Sequence, residues 1–199
     1  MEEAMERRIC SAFIKHLNDT SLEVKANAVK SITLVVPIIR EQNVVMIIET
    51  LTNMVIDASA KDVRDIYSLT IRTSLVELKD QAAINMIRAV YPKLKNGLKS
   101  NKEEVQEECI EILSEIFRNF GQILFKNNNL VNKDEVMKIL LDILSQSSKN
   151  LRKKATVCLG QFGIILNVRQ LLSLVSVLMD RLGKSHDKHD KLTFIQCMG

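Results

Sequence analysis

An all-α fold of stacked helical hairpins is what this sequence predicts, and three observations lead there. Chain punctuation is scarce: 199 residues hold six Gly, two Pro and no Trp, too little for a many-stranded β fold. With 46% hydrophobic and 26% charged residues, the chain has apolar material for a real core and an ordinary charged surface. Most telling, one layout recurs four times: a polar turn, then Val or Leu, usually a basic residue, then an apolar helix. It begins at Val24 (VKANAVKSITLVV), Val63 (VRDIYSLTIRTSL), Val105 (VQEECIEILSEIF) and Leu151 (LRKKATVCLGQFG). Successive starts lie on the order of 40 residues apart, the period of two-helix repeat units.

The columns agree in register. One residue after each start stand Lys25, Arg64, Gln106 and Arg152; four after stand Ala28, Tyr67, Cys109 and Ala155; eight after stand Ile32, Ile71, Leu113 and Leu159. Positions four and eight share a helix face, so each segment carries one apolar stripe. A fifth start fits at Asp190, with Lys191, Phe194 and Met198 in those columns.

Another helix precedes each of these. The apolar faces are Ile9, Phe13, Ile14 and Leu17; Val44, Ile48, Leu51 and Val55; Ile84, Ile87, Tyr91, Leu94 and Leu98; Val136, Leu140, Ile143 and Leu144; and Leu171, Val175, Leu178 and Leu182. Short polar turns join the partners, at 18–23, 58–62, 99–104, 145–150 and 183–188, so each unit is an antiparallel hairpin. One hairpin cannot bury both its faces, and stacking does so. The prediction is a single HEAT-type α-solenoid over 1–199, of about four to five hairpins at 4–38, 41–79, 81–120, 134–166 and 168–199, the last truncated. The one irregular link, Phe120 to Lys133 with Gly121 and Lys126-Asn-Asn-Asn129, reads as a long loop between repeats.

Charge narrows the function classes. The net charge of +4 is mildly basic, but acidic residues interleave with basic ones, as in EEAMERR and NKEEVQEE. That pattern is a mixed solvated surface, not a phosphate-tracking groove. Aromatics, at 4%, are too few for base-stacking platforms. No apolar run approaches the roughly 20 residues that span a bilayer, and the acidic start does not resemble a signal peptide. Cys10, Cys109, Cys158 and Cys197 form no C-x-x-C pair and read as small buried residues in a reducing compartment, the cytoplasm or nucleus. In that setting the sequon at Asn18-Asp19-Thr20 is a polar turn.

Sites for chemistry are absent from the pattern. His186 and His189 in HDKH, flanked by Asp187 and Asp190, lack a third ligand and read as solvated residues. His16 falls on a polar helix side with no nucleophile nearby. No Ser-His-Asp arrangement, phosphate-binding loop or cofactor motif occurs, so no catalytic, metal or cofactor residues are assigned and an enzyme is not expected. Gly160 and Gly163 lie inside a helix and suggest a close helix–helix contact. The basic column of Lys25, Arg64 and Arg152 has two readings: a groove lining for an acidic partner, or a ladder bridging the turn of the neighbouring repeat, with Asp19 and Asp57 available. The ladder is preferred. Candidate protein-contact residues are Lys30, Arg64, Arg72, Arg152, Lys153 and Lys154, of which Lys30, Arg72, Lys153 and Lys154 have no ladder role.

Beyond these patterns, VRDIYSLTIRTSLVEL (Val63 to Leu78), LRKKATVCLGQFG, YPKLKNGLKS and Phe194-Ile-Gln-Cys-Met198 resemble the N-terminal repeats of the cullin-associated, neddylation-dissociated family. These are regulators of cullin–RING ubiquitin ligases. The resemblance runs in order along nearly the whole chain. It implies a HEAT scaffold that grips an unmodified cullin with its RING subunit, covers the lysine that receives the ubiquitin-like modifier, and acts by steric exclusion. Against the family pattern the chain starts at what looks like the second repeat and stops inside a helix. An open last repeat exposing Leu192, Phe194, Ile195 and Met198 implies end-to-end self-association. Receptor exchange, a property of the family's distal end, is not expected of this chain. The alternative is a generic HEAT adaptor such as a karyopherin-like transport factor, and a nucleic-acid-binding repeat protein ranks last.

Overall fold

The computed structural model describes residues 2–146, 148–184, 191, 192 and 195. Among these there are nine α-helices and no strand: α1 (Glu3–Leu17), α2 (Leu22–Val35), α3 (Glu41–Asp57), α4 (Lys61–Ser74), α5 (Asp80–Leu98), α6 (Glu103–Lys126), α7 (Lys133–Leu144), α8 (Lys149–Gly163) and α9 (Val168–Lys184). A short 3₁₀ turn, Leu75–Glu77, extends α4. The all-α hairpin-repeat fold expected from the sequence is the fold observed.

Each repeat start is the third residue of its helix: Val24 in α2, Val63 in α4, Val105 in α6 and Leu151 in α8. Ser21 and Ser148 cap α2 and α8, their hydroxyls accepting from the amides of Val24 and Leu151, and Asn132 caps α7 by accepting from Glu135. Such caps satisfy amides that have no partner inside the helix. Four and eight residues after each start, the whole of both columns is buried: Ala28, Tyr67, Cys109 and Ala155, then Ile32, Ile71, Leu113 and Leu159.

The chain divides into two compact units, Met1–Lys93 and Leu94–Gly199, and the division falls just after Pro92, which lies inside α5. In the first unit α1 pairs with α2 and α3 with α4, while α2 packs on α4 and α1 on α3. Its core is filled by Leu17, Ile32, Ile47, Ile48, Leu51 and Ile71. In the second unit α7 pairs with α8, and α6 packs extensively along α8. There the rings of Phe117 and Phe162, both fully buried, meet at 5.3 Å between centroids and 49° between planes. Such a tilted pair adds to the area that it removes from water.

Three expectations are corrected. The link from Phe120 to Lys133 is mostly helix. Phe120 takes a non-helical backbone (φ −119°, ψ 20°), which kinks α6, but the helix resumes to Lys126 because Leu124 turns back into the core. Only 127–132 is irregular. The close contact expected at Gly160 is also missing: a Cβ added there meets nothing within 4 Å, and one at Gly163 meets only Leu171 at 3.9 Å. Close approach occurs at Gly121 instead, where an added Cβ would lie 2.9 Å from Cγ2 of Ile164. Finally, α9 buries Leu174 and Leu178 but leaves Leu171 and Val175 exposed. Its run LLSLVSVLM carries two adjacent apolar stripes, and periodicity alone could not choose between them. His186, Asp187, His189, Asp190, Phe194, Cys197 and Met198 lie outside the described residues, and with them most of the fifth repeat's second helix.

Candidate functional site

In the basic column, Arg64 and Arg152 act as caps. Arg64, only 3% exposed, donates from Nε to the Val55 carbonyl at 3.1 Å and from Nη2 to the Ala58 carbonyl. Gln106 Nε2 donates to the Leu98 carbonyl at 3.1 Å, and Arg152 Nη1 to the Gln146 carbonyl at 2.7 Å. At three of the four repeat starts, the residue one place on thus reaches back to the end of the preceding helix or to the turn just after it. Helix C-termini leave carbonyls unpaired and carry partial negative charge, so a cation or amide donor is well placed there. The expected ladder bridges to the neighbouring repeat, whereas these bonds of Arg64, Gln106 and Arg152 each close their own hairpin. The link to the neighbouring repeat comes from Tyr67, whose hydroxyl donates to the Leu17 carbonyl at 2.7 Å. Asp19 does not serve as a rung here: its Oδ1 accepts from the Ser21 amide at 2.8 Å. Lys25 is half-buried and lines a cleft of about 260 Å³ with Leu17, Asp57, Ala58 and Tyr67.

First helices are joined by ion pairs within each unit. In the first, Arg40 meets Glu3 at 3.1 Å and Glu6 at 3.9 Å, while Lys93 meets Glu49 at 3.0 Å. In the second, Lys95 and Lys99 share Glu135 at 3.2 and 3.0 Å, and Arg181 reaches the Leu141 carbonyl at 2.5 Å and Ser145 Oγ at 2.9 Å. Glu6 is buried and caps α3 from outside, accepting from the Arg40 amide at 2.6 Å and from Asn43 at 2.5 Å. The Arg40 amide bond holds its carboxyl below the usual value, against the opposing effect of burial. None of these partners had been picked out from the sequence. Recurrence near the repeat spacing, as in Lys93 with Asn53 or Lys95 with Glu135, each 40 residues apart, was the available signal.

The six candidate contact residues separate cleanly. Arg64 is buried in its cap, Arg152 is half-buried on Gln146, and Arg72 is half-buried on α4. Lys154 points into the α6–α8 seam, where its ammonium lies 2.8 Å from Glu107, 2.8 Å from Glu111 and 3.9 Å from Glu108. Burial alone would lower its pKa, but the bonds to Glu107 and Glu111 win and raise it. Only Lys30 and Lys153 are exposed.

Those two lysines mark two faces on the second helices. Lys30, with Val29, Thr33 and Leu34 of α2 and Leu69, Thr70 and Thr73 of α4, lines an apolar groove of about 500 Å³ in the first unit. Leu34 and Leu69 are 74% and 55% exposed there. In the second unit the open face of α8 runs Lys149, Lys153, Val157 and Gly160, with Ile164 just past the helix end, all exposed. Both faces combine a cation with uncovered aliphatic side chains, which is the chemistry of a protein contact. Among the described residues no group of three or more His, Cys, Asp or Glu is placed to hold a metal ion. No described helix is long and apolar enough to cross a membrane.

No family model matches the chain. Curated relatives align with its whole length: the Drosophila melanogaster cullin-associated NEDD8-dissociated protein 1 at 25% identity and the Mus musculus cullin-associated NEDD8-dissociated protein 2 at 29%. The Dictyostelium discoideum protein 1 aligns at 22%. The chain spans 16% of the length of each of these relatives. In fold it is similar to an engineered protein (TM-score 0.59, 17% identity, 95% of this chain and 77% of that one). It is also similar to a computationally designed armadillo repeat protein for modular peptide recognition (TM-score 0.54, 16% identity, 98% and 82%).

Proposed function

We propose that this chain is a protein-interaction scaffold that binds an unmodified cullin together with its RING subunit and sterically blocks attachment of the ubiquitin-like modifier. The observation that carries this reading is the similarity, along the whole of this chain, to a part of the cullin-associated NEDD8-dissociated proteins of three organisms. The exposed faces of α2, α4 and α8 support it, since a scaffold acts through surface and needs no reactive group. The chemistry is non-covalent: bound protein denies the conjugating enzyme access to one lysine. Cytoplasm or nucleus is the proposed setting, where the buried free thiols of Cys10, Cys109 and Cys158 remain reduced. Self-association is proposed through α9, where Val168, Leu172 and Met179 are 75%, 64% and 53% exposed.

The test mixes the purified chain with a cullin C-terminal domain bound to its RING subunit, unmodified in one sample and neddylated in the other. Co-elution with the unmodified form alone, together with slower modifier attachment, is the expected result. Equal binding to both forms, or to neither, rejects the reading. Light scattering over a concentration series checks α9: mass rising with concentration is expected, and a strict monomer rejects self-association.

A further inference from the structure

We infer that α9 pairs with α9 of a second copy of this chain, antiparallel about a two-fold axis, with Arg169 of each copy set beside Asp180 of the other. The inference rests on the self-association reading above and adds its geometry. Val168, Leu172, Val175 and Met179 are all exposed and follow one another at intervals of four, three and four residues. That alternation is the a/d seam of a coiled coil, the stripe that one helix presents to another like it. Leu174 and Leu178 lie to one side of the seam and are buried in the chain's own core. The seam is a second stripe, left open once α9 has packed.

Charge chooses the occupant. Arg169 and Asp180 are both exposed and stand on the flank of the seam away from Leu174 and Leu178. Eleven residues separate them, about three turns of helix, so they face the same way about 17 Å apart. A two-fold axis between antiparallel helices brings like flanks together and reverses their direction. Arg169 of one copy then lies beside Asp180 of the other, and the pair forms twice. Parallel helices bring opposite flanks together, and the opposite flank here carries Leu174 and Leu178, so neither charge meets its complement. Arg169 has the more to gain, because it lies in the first turn of α9, where the helix end is already positive and no acidic residue stands. Asp180 uses one oxygen on Lys184 at 2.7 Å, and its other oxygen serves the second copy. A head-to-tail stack on α1 fits less well: Met5 is the one large apolar side chain exposed on that helix, so the seam would rest on charge.

The test is sedimentation of the full chain over a concentration series, beside Val175→Asp, Arg169→Asp, Asp180→Arg and the double variant Arg169→Asp/Asp180→Arg. All four are expected to keep the wild-type circular dichroism, since the positions are exposed. Val175→Asp should weaken dimerisation about tenfold, because it places a charge in the seam of both copies. Either single charge change should weaken it about fivefold, since like charges then meet at two places. The double variant should recover wild-type dimerisation, and the two single variants should pair with each other when mixed. A dimer indifferent to the charge variants, a mixture no better than its components, or growth past the dimer overturns the antiparallel pair and leaves self-association standing. A strictly monomeric wild-type chain overturns both.

Discussion

Arg64 holds two backbone carbonyls at the end of α3 from a position that water does not reach. Truncating it leaves both acceptors unpaired, and an unsatisfied buried polar group costs about 1–3 kcal/mol. Arg64→Ala should therefore lower stability by about 2–4 kcal/mol in urea unfolding, whereas Lys30→Ala, on an exposed residue, should change it by less than about 0.5 kcal/mol. Glu6 gives a second prediction, in pH. Its folded pKa is depressed below 4.5, so the stability it contributes is present above 4.5 and is lost as pH falls through the folded value. Glu135, lowered by its bonds to Lys99 and Lys95, acts in the same direction. Thermal melts from pH 7 to pH 3 should show a steep acid loss that is shallower in Glu6→Gln. An unchanged slope removes Glu6 from the account. Neither role is fully legible in the sequence: the repeat column singles out Arg64, but its acceptors are backbone atoms, and no residue pattern displays a carbonyl.

Two glycines separate what pattern shows from what packing decides. Gly121 and Gly160 look alike in a string of letters, yet one lies under Ile164 and the other faces open space. Gly121→Ala should cost about 1–3 kcal/mol through overpacking. Gly160→Ala should stabilise by up to about 1 kcal/mol. Urea midpoints that move in the same direction for both would contradict this assignment. The α6–α8 seam offers a sharper test. Lys154 balances Glu107, Glu108 and Glu111, so Lys154→Met strands carboxylates in a half-buried seam and should cost about 2–4 kcal/mol. Adding Glu107→Gln should restore part of the loss, and strict additivity would show that the pair is not coupled. Helix existence and facing were legible because repeat columns average over local noise. The kink at Phe120 and the burial of Leu174 in place of Leu171 were not, because they depend on which neighbour a stripe meets.

Across the chain, the two compact units each enclose their own buried aliphatic core. A chain ended at Leu98, which keeps α5 whole, should accordingly retain helical circular dichroism and melt cooperatively; a non-cooperative melt would show that the first unit depends on the second. Repeat number, register and the resemblance to cullin-associated relatives were all readable from the sequence, since each is a statement about period and face. The caps carry one more consequence. Arg64, Gln106 and Arg152 grasp carbonyls only six to nine residues earlier in the chain. Closing so short a loop takes roughly tens of nanoseconds and little entropy, so these three turns can form before the neighbouring repeats pack on them. A nascent chain can then acquire its fold in the order in which it is made, one turn latched at a time.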